Sequence, residues 1–175
     1  MKKYSRILII ANLILLLGYF NWSVYQKEQT LKEGQLVLLQ LAPVDPRSLM
    51  QGDYMRLNYK EANSKLINRQ KAKCGYAVLK LDKNHVGEII RLQESYGPVN
   101  ENEVILKYKT TNGRLFLGAE SFFFEEGQDS VYNRAAYGGL RVDNKVQSLL
   151  VGLYDKDFRQ IKPDRGKQQY IKLHK

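Results

Sequence analysis

The chain has 175 residues, of which 43% are hydrophobic and 26% charged, a composition typical of a globular domain and not of a disordered chain. Its net charge of +10 favours anionic partners, although a solvated basic surface gives the same excess. A single cysteine, Cys74, and two histidines, His85 and His174, exclude an intrachain disulfide and a Cys- or His-rich metal site, so we predict no metal and no cofactor.

A basic head, residues 1–6, precedes an apolar run from Ile7 to Val24. As a helix this run measures about 27 Å, close to the roughly 30 Å hydrocarbon core of a bilayer. The head predicts a cytoplasmic N-terminus and a C-terminal domain outside the inner membrane. The exit, "GYFNWSVYQ", is bulky, whereas cleaved signal peptides end in small residues, so an uncleaved single-pass anchor is favoured over a signal peptide.

Residues 25–34 continue the helical pattern as a linker and end at Gly34, which favours a left-handed cap. Residues 35–163 then change to short strands with turn signals, which predict one mainly β, antiparallel domain, a sandwich or a barrel, with one or two short helices. The predicted strands are Gln35–Ala42, Asp53–Tyr59, Gly75–Leu81, Val86–Gln93, Glu103–Thr110, Arg114–Ala119, Tyr137–Val142 and Val146–Tyr154.

Turn signals separate several of these strands. Asn112-Gly113 is the strongest hairpin signal, and "DKNH" and "DNK" mark two further hairpins. The basic segment Lys60–Lys73 is predicted to be helix or loop, and Gln128–Ala136 a short helix. Residues 164–175 form a basic tail.

The stretch "APVDPRSLMQGDYMRLNY", from Ala42 to Tyr59, combines a helical turn with a strand. Asp45 and Pro46 are a helix-start pair, and Gly52 supplies a positive φ where the chain reverses. Alternation along the strand predicts a mostly apolar core face and a polar face, namely Asp53, Met55, Leu57 and Tyr59 against Tyr54, Arg56, Asn58 and Lys60. Packing in the core therefore does not account for Tyr54, the one aromatic residue on the polar face.

The motif "GDYMRLNY" resembles the pattern that names the GDYxxLxY family of predicted membrane-anchored bacterial proteins. The lead-in "PVDPRSLMQ" and the later blocks "FFFEEGQDSVYNRAAYGGLRVD" and "LLVGLYD" are similar to that family too. The matching positions are Asp45, Pro46, Arg47, Ser48, Gly52, Asp53, Tyr54, Leu57, Tyr59, Glu126, Gly127, Tyr137 and Gly138. The resemblance implies one N-terminal span and an extracytoplasmic domain without an assigned activity, and members resemble small partners of multi-span membrane proteins.

The first functional hypothesis is an accessory or binding protein without catalytic residues that docks on a multi-span membrane protein. The polar face with Tyr54, Arg56 and Lys60, together with the segment Lys60–Lys73, supplies the contact surface, although a basic segment is more often only solvated. Nucleic acid is not an expected partner because of the predicted location.

The alternative is a membrane-anchored Ser–Lys hydrolase resembling signal peptidases. Ser48 would be its nucleophile, and Lys80, on a strand in an apolar setting, its base, with a pKa lowered by burial. Two departures from the signal-peptidase pattern argue against it. No Pro follows soon after Ser48, and the sequence around Lys80 does not resemble the block that carries the signal-peptidase lysine. A third hypothesis pairs the carboxylates of Asp45 and Asp53 for acid–base chemistry, while nucleophile-elbow, P-loop and dinucleotide motifs are absent from the sequence.

Overall fold

The computed structural model describes residues 2–42, 54–63, 72–125 and 128–163. Helix α1 spans Lys2–Glu33, a 3₁₀ turn spans Lys60–Asn63, and a short helix α2 spans Asp129–Tyr132. The strands within these ranges are β1 Gln35–Gln40, β2 Tyr54–Arg56, β3 Cys74–Leu81, β4 Gly87–Gln93, β5 Glu103–Thr111, β6 Arg114–Phe116, β7 Ser121–Phe123, β8 Tyr137–Val142 and β9 Ser148–Tyr154. The prediction of a mainly β domain behind one apolar helix is confirmed.

The strands form three antiparallel sheets, in the orders β1-β8-β9, β4-β3-β5-β6 and β2-β7. A parallel bridge between Leu38 and Val86 joins the two larger sheets, and an antiparallel bridge between Leu41 and Tyr59 joins the end of β1 to the chain after β2. The sheets therefore curve around one side of a common core as a half-barrel. That core receives the inward side chains of each sheet, including Val37, Leu39, Ala77, Leu79, Leu106, Leu140 and Leu153.

Several predicted boundaries differ from the structure. Of the strand predicted over Asp53–Tyr59, the described residues 54–59 are regular at Tyr54–Arg56 and not beyond, and the helix predicted over Gln128–Ala136 is limited to Asp129–Tyr132. Strand β7 was not predicted, because two of its three residues lie in the run "FFF", which lacks alternation. In the structure this run does alternate, since Phe122 and Phe124 pack on Tyr132 at ring-centroid distances of 5.1 and 5.4 Å while Phe123 points outward.

Helix α1 continues without a break from the apolar run to Glu33. The segment Ile7–Glu33 is long and apolar enough to cross a membrane, and the protein buries none of its most apolar stretch. The helix ends before Gly34 as predicted, but the left-handed cap predicted there is wrong, because Gly34 is not among the glycines with positive φ. A side chain at Gly34 would instead collide with the carbonyl oxygen of Thr30, so close backbone approach explains this glycine.

The last turns of α1 dock on the hairpin between β8 and β9. Thr30, which is 3% exposed, donates a hydrogen bond from Oγ1 to Asp143 Oδ2 over 2.7 Å, and Arg141 Nη1 donates to the Gly34 carbonyl over 2.7 Å. Burial alone would raise the pKa of Asp143, but the hydrogen bonds from Thr30 and from the amides of Gln147 and Lys145 outweigh it and hold the pKa below its ordinary value. The helix and the domain thus share a partly buried polar junction.

One turn geometry occurs three times, in "DKNHV" (82–86), "DNKVQ" (143–147) and "DKDFR" (155–159). In each turn, the Oδ1 atom of the first Asp accepts hydrogen bonds from the amides two and four residues later. The fourth residue is left-handed, with φ of 62°, 60° and 60° for His85, Val146 and Phe158. The two hairpins predicted at "DKNH" and "DNK" are confirmed, and so is the hairpin at Asn112-Gly113, where φ is 51° and 72°.

Acid should weaken the folded domain through Glu103. Its pKa is lowered from 4.5 to about 2, chiefly by hydrogen bonds from Arg91, at 2.9 and 3.1 Å, and from Asn100. A depressed carboxyl pKa stabilises the folded state above the unfolded pKa, and this contribution disappears as the pH falls from 4.5 towards 2. We therefore expect the unfolding midpoint of the wild type to fall more steeply over this range than that of Glu103→Gln. Parallel slopes for the two proteins would contradict the role given to this pair.

Candidate interaction site

Tyr59, at the end of the motif, is the most enclosed of the motif's described side chains at 1% exposure. Its hydroxyl donates a hydrogen bond to the Ala119 carbonyl over 2.6 Å. Its ring lies against Gly138, where an added Cβ would stand 2.9 Å from the Tyr59 hydroxyl oxygen and 3.0 Å from Cε1. Two sequence blocks that are far apart in the chain therefore pack directly against each other, and glycine is needed at 138 to admit the tyrosine ring.

The interior of the site is apolar, so Tyr59 is electrically neutral. Burial, and to a lesser degree the carboxylate of Glu120, raises the pKa of its phenol far above the ordinary value of 10.0. Leu57 is 2% exposed and Met55 is also buried, so the predicted core face is confirmed for its described members, Met55, Leu57 and Tyr59. Next to it, Glu61 is half-buried and its pKa is raised by burial, an effect that a hydrogen bond from the Ile89 amide partly offsets.

The other face of β2 carries an exposed aromatic pair. Tyr54 lies directly opposite Phe123 on β7, with ring centroids 5.7 Å apart, and the two side chains are 38% and 74% exposed. Arg56 follows on the same face, opposite Ser121, and is exposed. An aromatic as large as Phe123 that is three-quarters exposed contributes little to the core, so this surface is the best candidate for contact with another molecule.

A cavity of about 570 Å³ borders the motif segment. Its lining includes Met55 and Leu57 of the motif together with Tyr132 and Tyr137. Tyr137 packs against Phe158 with tilted rings, at a centroid distance of 5.2 Å, so the left-handed residue of the third Asp turn contacts the first residue of β8. The polar members of the lining are Gln40, Arg56, Asn58, Asn133 and Lys156.

Several predicted site residues lie outside the described residues, namely Asp45, Pro46, Arg47, Ser48, Gly52, Asp53, Glu126 and Gly127. The hydrolase hypothesis can be examined only at Lys80. Its side chain is exposed, so the apolar setting predicted for it is wrong; it lies on the outer face of β3, opposite Glu88 and Glu103 of the neighbouring strands. In the parts of the chain that are described, no three His, Cys, Asp or Glu side chains are grouped as metal ligands would be.

The sequence model of the GDYXXLXY protein family matches residues 16–153, well over half of the chain. The chain belongs to the GDYXXLXY family. The match includes the last part of α1, the motif strand and the β8–β9 hairpin, so the contacts of Tyr59 with Gly138 and of Thr30 with Asp143 lie within the family's matched region. A search of curated proteins and a search of solved structures found no match.

Sequence reasoning missed three participants in this GDYXXLXY site. Phe123 was hidden in an unassigned aromatic run, and the Ala119 carbonyl is a backbone acceptor that no side-chain pattern reveals. Phe158 lies in a turn whose Asp spacing repeats that of "DKNHV" and "DNKVQ", a signal that was available in the sequence.

Proposed function

We propose that this GDYXXLXY protein is a membrane-anchored accessory protein whose extracytoplasmic β domain docks on a multi-span membrane partner. The exposed Tyr54–Phe123 pair beside Arg56 is the observation that carries this proposal. Aromatic residues and arginine are the side chains that most often anchor protein interfaces. A bacterial inner-membrane location with the domain on the periplasmic side is part of the same proposal and rests on the basic N-terminal head.

The way the motif is built supports a docking role. Leu57 and Tyr59 hold β2 on the core, while Tyr54 and Phe123, on the two paired strands, point away from it. The strand therefore presents its aromatic pair from a fixed backbone, which lowers the conformational entropy that is lost when a partner binds.

We expect Tyr54→Ala to weaken recovery of the partner from detergent-solubilised membranes by more than about fivefold, the loss of an interface anchor worth over 1 kcal/mol. The unfolding midpoint should change little, since a single exposed cross-strand pair contributes about 1 kcal/mol at most. The matched control is Tyr96→Ala, which removes an exposed tyrosine that also meets one other ring, that of Tyr76, elsewhere on the domain. Equal recovery with Tyr54→Ala and Tyr96→Ala would refute the docking surface.

We expect a periplasm-dependent reporter fused after residue 163 to be active, and the mature chain to keep its N-terminal residues. Both follow from the basic head and the bulky exit of the apolar run. N-terminal sequencing of the membrane fraction and a paired cytoplasm-dependent reporter complete the measurement. A chain that begins after Trp22 would show instead that the segment is a cleaved signal.

A further inference from the structure

Two asparagines in the apolar part of α1 differ in the hydrogen bonding of their side-chain carboxamides. Asn21 Nδ2 donates a hydrogen bond to the Leu17 carbonyl over 2.8 Å. Asn12 is exposed, and its side chain makes no hydrogen bond with any described part of the chain. Asn21 therefore has a hydrogen-bond partner within its own helix, and Asn12 does not.

Asn12 lies well inside the apolar run, because it is five residues beyond Ile7, or about 7–8 Å along the helix axis. Hydrocarbon offers no hydrogen-bond partner to a carboxamide at that depth, and leaving it unpaired there is costly. Asparagines in spanning helices typically meet this demand by hydrogen bonding to a polar side chain of a neighbouring helix.

The direction in which Asn12 faces follows from its helical position relative to Thr30, at the end of α1 that docks on the domain. Thr30 is 18 residues further on, which is five full turns at 3.6 residues per turn, so Asn12 lies directly below Thr30 on the same side of α1. Thr30 is the residue that docks on Asp143, and Gln26, half-buried, lines the same junction. Asn21 is nine residues from Asn12, two and a half turns, and faces the opposite way.

The position of the β domain limits what can cover Asn12. In a symmetric pair of chains joined through the Asn12 faces, the two helix axes would lie about 8–10 Å apart. Each β domain would then lie on the side of its helix that faces the other chain. A domain of this size has a radius of gyration of about 14 Å, so the two would compete for one space above the pair. A helix that belongs to another protein and ends in short loops fits beneath a single domain without this conflict.

This inference rests on the proposed function. We infer that the Asn12 face of α1 binds a polar side chain on one helix of the multi-span partner, within the membrane and directly beneath the β domain. The partner is then held by two contacts on one side of the chain, Asn12 in the membrane and the domain above it. Leu16 and Tyr19, one and two turns beyond Asn12, flank the contact on the same face.

The test uses the full chain in its native membrane with a photo-crosslinking residue at Leu16, on the Asn12 face, or at Leu17, at nearly the same depth but turned away. We expect Leu16, and not Leu17, to give an adduct with a protein that its peptides identify as having more than one span. Asn12→Leu should lower the yield by about three- to seventeen-fold, which corresponds to about 0.6–1.7 kcal/mol for a hydrogen bond between helices. Asn21→Leu is the matched control and should change the yield less than twofold.

The remaining outcomes separate this inference from the function on which it rests. An adduct from Leu16 with a second, differently tagged copy of the chain would overturn it, as would equal yields from the two positions or an Asn12→Leu chain that crosslinks like the wild type. A third probe at Phe123 reports on the domain surface. Labelling of a multi-span protein from Phe123 but not from Leu16 rejects the inference alone, and labelling from neither position rejects the proposed function as well.

Discussion

Replacing Tyr59 with Ala is expected to lower the free energy of unfolding of the β domain by about 3–5 kcal/mol, the usual cost of deleting a buried aromatic ring. The ring is 1% exposed and fills the space between the chain after β2 and Gly138 on β8. Its hydroxyl also satisfies the Ala119 carbonyl. Tyr59→Phe removes only that hydrogen bond and should cost about 1–3 kcal/mol. Denaturant unfolding of the detergent-solubilised chain measures both.

A double-mutant cycle with Gly138 isolates the contact between the two family blocks. In the wild type, Gly138→Ala places a methyl group 2.9 Å from the Tyr59 hydroxyl oxygen, an overpacking that should cost about 1–3 kcal/mol. In the Tyr59→Ala background the same methyl group enters the vacated space, so the cost should fall close to zero. Additive losses in the double variant would mean that the two residues do not compete for one volume.

We expect Leu57→Ala to destabilise the domain by about 2–5 kcal/mol, through lost apolar burial and the cavity left behind. Leu57 is 2% exposed and belongs to the main core with Met55 and Tyr59. Its amide donates to the Glu120 carbonyl over 2.7 Å, so the backbone is held in place and has little freedom to collapse into the cavity.

The neighbouring residue supplies the control for Leu57. Arg56 lies on the exposed face of the same strand, so Arg56→Ala should change the unfolding free energy by no more than about 0.5 kcal/mol. Losses of similar size for Leu57→Ala and Arg56→Ala would contradict the division of the motif into a core face and a surface face.

Local rules predicted what depends on neighbouring residues in the chain. Alternation separated Leu57 from Tyr54, and the Asn112-Gly113 pair identified its hairpin, because both signals arise within a few residues. Gly34 is predicted to be a left-handed cap because glycine after a helix usually has that role, whereas here it avoids a collision with the Thr30 carbonyl oxygen.

Contacts between distant segments could not be predicted in the same way. The packing of Gly138 on Tyr59 joins strand β8 to the segment that follows β2, and nothing in either local sequence specifies the other. Lys80 shows the same limit: its apolar neighbours in the sequence suggested burial, but in a strand they occupy the opposite face. The exposure of Phe123 likewise depends on pairing with Tyr54, whose strand is far away in the chain.

For the anchor proposed above, the unbroken course of α1 into its junction with the domain gives a stalk and not a flexible tether. A flexible tether would let the domain search a hemisphere above the bilayer, whereas a stalk confines its search to lateral diffusion in a thin layer at a nearly constant height and orientation. Within that layer, encounters with another membrane-embedded protein have an effective concentration that a free domain in the same compartment would lack. Under the proposed function, a soluble partner gains nothing from this arrangement, and the stalk favours targets that share the membrane.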